Sequence, residues 1–453
     1  CFELYRDDGQ FALERGANWR SFIWDSLSFL NGEKKHIKKA NAIMKNVVDK
    51  GSGRFWGSAV TMILARFSNK LEQNLTNILR DRLANIVVNC SQDDFLGYND
   101  NYPSMSALTV VVGSQLLNMS DYIDKGIKIL EGIKAMLRRR GFISEYTSPT
   151  YSPITLICLA EIVNLSENEQ ARSLALKAEQ RIWTELASHF HKETSFMAGP
   201  HSRAYMVDMC GHLHNSHIIL YQAFGDELFV NPINAMFPYQ ENQVMHHGVP
   251  EFTQSHVGWL TTPEFHIPDY AAELALKKAY PYTIRATSEY GAMPRNWLGE
   301  GRHPVDPLQE FQAGHTLLTT YMTEDYALGT ALRPFIHGYQ TTSFHLTYRR
   351  NEEKKLQSIS TAFSRFIIND HQPHPDERLQ DDGRVFVVSK GSSALVAYNG
   401  KPPWKAKPPQ HATGDISSLK LSIILTCFYG KPEEIWIGAQ QCQPWLGESE
   451  DIS

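Results

Sequence analysis

The chain has 453 residues, 44 Lys+Arg against 49 Asp+Glu, a formal charge of −5, and 42% hydrophobic and 11% aromatic residues. That balance is globular and excludes disordered and collagen-like classes, and no uninterrupted apolar run of about 18 residues is present to span a bilayer. With no global basic field, nucleic-acid binding is not expected, and any anion recognition has to be local.

From the start to about residue 335 apolar residues recur at helical spacing, over 36–49, 58–67, 71–88, 104–117, 121–139, 153–163, 168–189 and 212–224. The texture then changes: Thr341–Tyr348, Ser358–Ile368, Arg384–Val388, Ala394–Tyr398, Leu419–Phe428 and Ile435–Ile437 read as strands, with polar, proline-bearing loops around 369–383 and 401–415. The expected class is α+β, a helical domain over 1–335 followed by an antiparallel β domain over 336–453.

Similar junctions recur along the helical part: Gly53–Gly57, Asn99–Ser104, Ser148–Pro153, Gly199–Arg203 and Thr253–Gly258. An interval of about 50 residues is the length of a helical hairpin with its connections. Hairpins stack sideways, and a stack that closes puts every second helix in an inner ring with the recurrent loops at one mouth. An open array with inert loops is the alternative.

Three consecutive junctions carry polar groups to that mouth. Asp100, Asn101 and Tyr102 come first; Glu145, Tyr146 and Tyr151 follow, in a loop that opens a helix whose free N–H groups suit an anionic or hydroxyl-rich ligand. His201, Arg203 and Tyr205 come next: Arg offers a planar fork to a carboxylate, and His transfers protons near neutral pH. His212, nine residues beyond Arg203, is expected deeper on the same helix. Capping and ring packing would explain any one of these loops alone.

The 18 histidines cluster at His189 and His191, at His212, His214 and His217, at His246 and His247, and at His256 and His266, without a HExxH-type signature, so no metal is expected. Neither a P-loop nor a GxSxG motif is present, so no nucleotide or other cofactor is expected. Cys1, Cys90, Cys158, Cys210, Cys427 and Cys442 are scattered, and Cys158 and Cys210 read as buried thiols. Four sequons, at Asn74, Asn89, Asn118 and Asn164, tilt the expectation slightly towards secretion, although about three would arise by chance in a chain of this length. The chain opens at Cys1 without a leader-like stretch, which fits a processed or a cytosolic protein. Arg138–Arg140 reads as a favourable pairing with a negative helix terminus.

On Asn99–Ser104, Glu145–Pro153, Gly199–Tyr205 and the stretch Thr320–Gly329, the chain resembles the (α/α)6-toroid polysaccharide lyases of the alginate, hyaluronate and heparinase II/III type, and the related (α/α)6 glycoside hydrolases of uronic-acid glycans. The resemblance implies an (α/α)6 toroid followed by an antiparallel β-sandwich-like domain, and an oligo- or polysaccharide substrate cleaved by β-elimination. In that scheme Asn101 neutralises the substrate carboxylate, Tyr151 or Tyr146 is the phenolic acid/base, His201 is the second proton-transfer residue and Arg203 grips a carboxylate. Tyr102, Tyr146, Tyr205, His212 and Trp259 would complete substrate binding, with Trp56 and Trp297 as further stacking surfaces. The hydrolase version needs two carboxyl groups, for which Glu145 and Asp100 are the pair and Asp208 the reserve. A non-glycan dehydratase or isomerase, or a carbohydrate-binding protein without chemistry, remains open. The Tyr321–Gly329 stretch with His337, His345 and Tyr348 is expected at the seam between the domains.

Overall fold

A computed structural model describes residues 2–12, 19–93, 96–209, 213–236, 256–289, 314–333, 342–369, 385–398, 417–426, 435–437 and 440–442. His212, Trp297, His337, Cys210, His246 and His247 lie outside them. The class is α+β.

The helices are α1 (Trp19–Leu30), α2 (Lys34–Val47), α3 (Gly53–Phe67), α4 (Gln73–Cys90), α5 (Asn101–Leu117), α6 (Ile123–Arg140), α7 (Tyr151–Leu165), α8 (Glu169–His189), α9 (Met206–Met209), α10 (Asn215–Phe224) and α11 (Pro232–Met236), with a further helix at Asp269–Leu276. Consecutive members pair as hairpins, α1 with α2, α3 with α4, α5 with α6 and α7 with α8. The odd-numbered members also pack on one another, α1 on α3, α3 on α5 and α5 on α7, and α10 continues on α7. Sequence accounts for the difference between the layers. α5 and α7 are apolar all round and buried over Pro103–Ser114 and Tyr151–Ile162, as helices with neighbours on every side must be. α2 and α6 keep lysines and arginines on one face and bury the other.

Segments beyond α8 pack back on α7 and α1. Asn215, opening α10, donates from Nδ2 to Thr150 O before α7 at 3.1 Å, and its Oδ1 lies 2.9 Å from His256 Nδ1. Trp259 then stacks on Trp24 of α1, with rings 4.8 Å apart and 7° from parallel. Gly258 makes that approach possible, because a Cβ there would lie 2.2 Å from Ser28 Oγ and 2.6 Å from Trp24 O.

The strands are the short pair β1 (Phe190–His191) and β2 (Phe196–Met197), then β3 (Tyr282–Glu289), β4 (His315–Met322), β5 (Tyr326–Ala331), β6 (Phe344–Arg349), β7 (Ile359–Ile368), β8 (Val385–Lys390), β9 (Ser393–Tyr398), β10 (Leu419–Thr426), β11 (Ile435–Ile437) and β12 (Gln440–Cys442). One antiparallel sheet has the order β10-β7-β6-β5-β4-β3. It begins at Tyr282, upstream of the expected change at 335, because β3 and β4 carry Thr-rich, β-branched runs that helical spacing did not separate. The stretch Thr320–Gly329 is accordingly the β4–β5 hairpin, closed by Thr323 N donating to Tyr326 O at 2.9 Å.

One face of this sheet covers the junction loops of the helical part. Gly329 lies so close to Gly199 that a Cβ would fall 1.9 Å from the Gly199 carbonyl carbon. Thr320 Oγ1 donates to Gly199 O at 2.6 Å, and His201 and Thr342 exchange backbone hydrogen bonds at 3.1 and 2.9 Å. Ser288 Oγ donates to Ile143 O at 2.8 Å. The sheet therefore braces the loops at 141–147 and 199–205 from behind.

Candidate functional site

The first turns of α1, α3, α5 and α7 meet at one place: Arg20, Arg54 with Phe55, Asn101 with Tyr102, and Tyr151. The Arg20 guanidinium lies 4.1 Å over the Phe55 ring, that of Arg54 4.5 Å over the Tyr102 ring, and Phe55 meets Tyr102 edge-on at 6.0 Å. Four helix N-termini together bring partial positive charge to this place.

Two loops close the floor and are pinned to each other. Asp100 accepts from Gly97 N at 2.7 Å, Ser144 N at 2.6 Å, Glu145 N at 3.2 Å and the Ser144 hydroxyl, so its carboxylate serves as a buried anchor between two junctions. Thr147, held at φ +47°, donates from N to Glu185 at 2.8 Å and from its hydroxyl to Pro200 O. Ser148 Oγ accepts from Tyr151 N at 3.1 Å, beginning α7, and donates to Arg203 O at 2.8 Å. Asp208 accepts from Tyr205 N at 3.0 Å and Thr150 Oγ1 at 3.1 Å. Arg203 itself has φ +29°, a strained position for a residue with a Cβ, and these bonds on both sides hold it there.

Held this way, Arg203 donates from Nη1 to Asn101 Oδ1 at 3.1 Å and to Glu145 Oε1. The second Glu145 oxygen accepts from Asn101 N at 2.8 Å, a carboxylate seated on the start of α5. The guanidinium lies 3.7 Å from the centre of the Tyr151 ring, and the Tyr151 and Tyr205 hydroxyls are 2.6 Å apart. Among the described residues Asn101 Nδ2 is buried without a hydrogen-bond partner, an amide donor that costs stability unless something satisfies it. Tyr151 and Arg203 retain 7% and 5% exposure, beneath the half-buried Arg20, Arg54, Phe55 and Tyr102.

Burial dominates the electrostatics. It pushes Glu145 up to about 7, against the opposing pull of Arg203, and Asp208 also to about 7. Burial also works against the Arg203 cation, but the facing Tyr151, Glu145, Tyr102 and Tyr205 hold its pKa above the ordinary value. Arg20 is lowered by burial, and its electrostatic neighbours are Tyr102, Tyr151 and Tyr205. The Tyr102 phenol is raised by burial in spite of the arginines around it.

Of the expected site residues, Asn101, Tyr102, Glu145, Tyr151, Arg203 and Tyr205 come together. Three do not. Tyr146 is fully buried with Phe142, Leu318 and Ala331, between the helices and the sheet. His201 is also at that interface, with Nδ1 2.7 Å from Thr147 O and its ring 4.8 Å from that of His345; burial lowers it to about 4. Trp259 is fully buried in its stack on Trp24, and Trp56 is likewise buried. Arg203 is already paired with Glu145, a role different from gripping a substrate carboxylate. Arg54 and Phe55 lie in the recurrent junction at Gly53–Gly57 and could have been found from it; Arg20 lies in no junction. Among the described residues no group of three or more His, Cys, Asp or Glu gathers as a metal site would require, and Cys90 and Cys158 are buried free thiols.

Residues 38–249, which include Asn101, Glu145, Tyr151, Arg203 and Tyr205, match the family model described as a domain of unknown function (DUF8769). No curated protein matches the chain. Among the described residues no helix is long and apolar enough to cross a membrane.

Proposed function

We propose that the chain is an enzyme that cleaves a uronic-acid-containing glycan by β-elimination at this site, on an (α/α)6 toroid backed by a β-sandwich-like domain. The circuit of helices that returns from Trp259 to Trp24 supports the toroid, and the hairpin β8–β9 lying over β4 and β5 supports a second β layer. The reading rests on the phenol pair Tyr151–Tyr205, 2.6 Å apart beneath the Arg203 guanidinium.

Elimination needs a base for the proton on the carbon beside the carboxylate and an acid for the leaving oxygen. With one phenol ionised, its oxygen takes that proton. The neighbouring carbon–oxygen bond breaks, a carbon–carbon double bond forms, and the leaving oxygen takes the proton of the other phenol. The guanidinium and the helix N-termini lie where negative charge develops, and the unmet Asn101 Nδ2 is a donor for the carboxylate as it takes on enolate character. Hydrolysis has less support: both Glu145 oxygens are engaged by Arg203 and Asn101 N–H, and Asp100 is saturated by four donors, so neither is offered to a water.

The test is incubation with a panel of uronic-acid polymers. Ultraviolet absorbance of an unsaturated uronate is the expected result; new reducing ends without it would mean hydrolysis. Absence of both products would overturn glycan cleavage in favour of a binding protein or a non-glycan reaction.

A further inference from the structure

The chain is acidic as a whole, yet one face of α6 is basic. Glu131, Lys134, Ala135, Arg138 and Arg139 recur at three- and four-residue spacing on that helix, so they share a face, and together they line a groove of about 710 Å³.

The cations of this face are not equivalent. Arg139 is answered by the buried Glu289 of β3, 2.6 Å from Nε to Oε1, and Arg140 Nε lies 3.5 Å from the other Glu289 oxygen. Lys134 and Arg138 are exposed and have neither an ion pair nor a hydrogen bond among the described residues. Glu131, three residues before Lys134, accepts instead from Gln170 of α8 at 3.4 Å. Like charges four residues apart repel on a helix. The negative end of α6 compensates for the cations of its last turn, Arg138 to Arg140, but that field fades within the turn and does not account for Lys134. Arg181 of α8 brings a further guanidinium to the same end, with Nε donating to Gly141 O at 2.7 Å.

The groove also lies next to the mouth. Gly141 ends α6 at φ +86°, its N–H bonding Leu137 O at 2.7 Å, and the chain runs directly into Ser144 and Glu145, whose N–H groups hold Asp100. Arg138 and Glu145 are seven residues apart, so at most about 25 Å separates them.

We propose that the Lys134–Arg138 groove is an anion-binding site outside the reacting mouth, where an acidic polysaccharide strand lays its carboxylates on the two cations while other units of the same strand occupy the mouth. The lysine supplies a point charge and the arginine a planar fork. The described lining carries no aromatic ring on which a nucleobase could stack, which favours a glycan over a single-stranded nucleic acid. The choice of an acidic polysaccharide rests on the function proposed above; the groove itself rests on its shape and on the two unanswered cations.

The test is retention of the full chain on immobilised polygalacturonate, with dextran as a neutral polymer and double-stranded DNA as a second polyanion. The parent chain is expected to be held by polygalacturonate, released by salt, and not held by dextran. Lys134→Gln with Arg138→Gln should weaken retention about tenfold, the loss of two exposed charge contacts. Lys34→Gln with Lys38→Gln removes the same charge at the same spacing from exposed positions of α2 and should leave retention unchanged. Equal losses from the two pairs, no loss from the first pair, or no retention of the parent chain overturns the groove. Stronger retention on DNA that is lost with the same pair overturns the glycan as its partner. Retention that depends on Lys134 and Arg138 in a chain producing no unsaturated uronate supports the groove and removes the lyase reading. Unsaturated product from a chain whose retention ignores both residues does the reverse, so the two failures are separable.

Discussion

The guanidinium of Arg203 lies 3.7 Å from the centre of the Tyr151 ring while its Nη1 holds both Glu145 and Asn101. Arg203→Lys keeps the charge but loses the planar fork and the stack. A charge-assisted hydrogen bond and a partly desolvated cation–π contact together contribute about 2–4 kcal/mol. Turnover should fall by roughly that barrier, one to three orders of magnitude, while melting temperature changes less than in Arg203→Met, which strands the buried Glu145 carboxylate. Equal activity of Arg203→Lys and the parent chain would remove Arg203 from the reaction.

The phenol pair gives the sharpest kinetic expectation. Tyr151→Phe and Tyr205→Phe each remove one of the two hydroxyls 2.6 Å apart. Positioned acid/base groups contribute about 10²–10⁴-fold, so kcat should drop by at least about a hundredfold in each single variant. Groups that act as a unit are not additive, and the double variant should be little worse than either single one. Two singly substituted chains with full turnover would mean that the reaction lies elsewhere.

Glu145 and Asp100 separate the mechanisms. Asp100→Asn replaces an acceptor by a donor facing Ser144 N–H and Glu145 N–H, so it should cost about 2–4 kcal/mol of stability, read by denaturant unfolding. Its activity loss should follow unfolding. Glu145→Gln should keep the fold better, since the amide oxygen can still accept from Arg203. If Glu145→Gln abolishes turnover and Tyr151→Phe does not, the carboxylate is the proton donor and hydrolysis replaces elimination.

Much of this site is legible in the sequence, and the exceptions have physical causes. Asn101, Glu145 and Arg203 stand in three junctions about 50 residues apart, and similar loops on stacked hairpins meet at one end. Tyr146 and Tyr151 were not separable, because the backbone at Thr147 turns through positive φ and sends the two rings to opposite sides of the loop. His201 has the composition of a catalytic residue, but its neighbours are Thr147 O and His345, and the latter belongs to a strand more than a hundred residues away. Arg20 stands in none of the recurrent junctions, although Gly16 precedes α1 by three residues. The sheet was placed too late because β3 and β4 precede the Phe- and Val-rich strands that first look like strands.

The buried histidines predict acid sensitivity. Burial lowers His189 to about 3 and His191 and His201 to about 4, whereas the unfolded chain titrates near 6.5. As pH falls through 6.5 the unfolded chain takes up protons that the folded one refuses until about 4, so these groups remove stability across that window. The buried carboxylates act in the opposite direction: Glu145, Asp208 and Asp25 are raised to about 7 and Glu185 to about 8, so their contribution is complete below about 4 and is lost as pH rises through those values. His201→Gln keeps a donor for Thr147 O and removes one histidine from the balance. Relative to the parent chain it should gain about 2 kcal/mol between pH 7 and pH 5, measured by urea unfolding at each pH. Parallel stability–pH curves for the two chains would mean that His201 is not buried neutral.

The packing of residues 256–260 on α1 rests on a contact that can be broken from one atom. At Gly258 an added Cβ would meet Ser28 Oγ at 2.2 Å and Trp24 O at 2.6 Å. Side-chain relaxation at Ser28 can relieve the first clash, but the second is with backbone. Gly258→Ala should therefore destabilise by about 1–3 kcal/mol, the usual cost of overpacking, and Gly258→Ala with Ser28→Gly should recover only part of it. Trp24→Ala, which empties the stack on Trp259, should cost about 3–5 kcal/mol. Arg20 lies four residues before Trp24 on α1, so both changes should also reduce turnover with the phenol pair untouched, and should raise KM before kcat because Arg20 is at the rim of the mouth. If Gly258→Ala melts like the parent chain, residues 256–260 do not pack on α1, and the stack of hairpins is open.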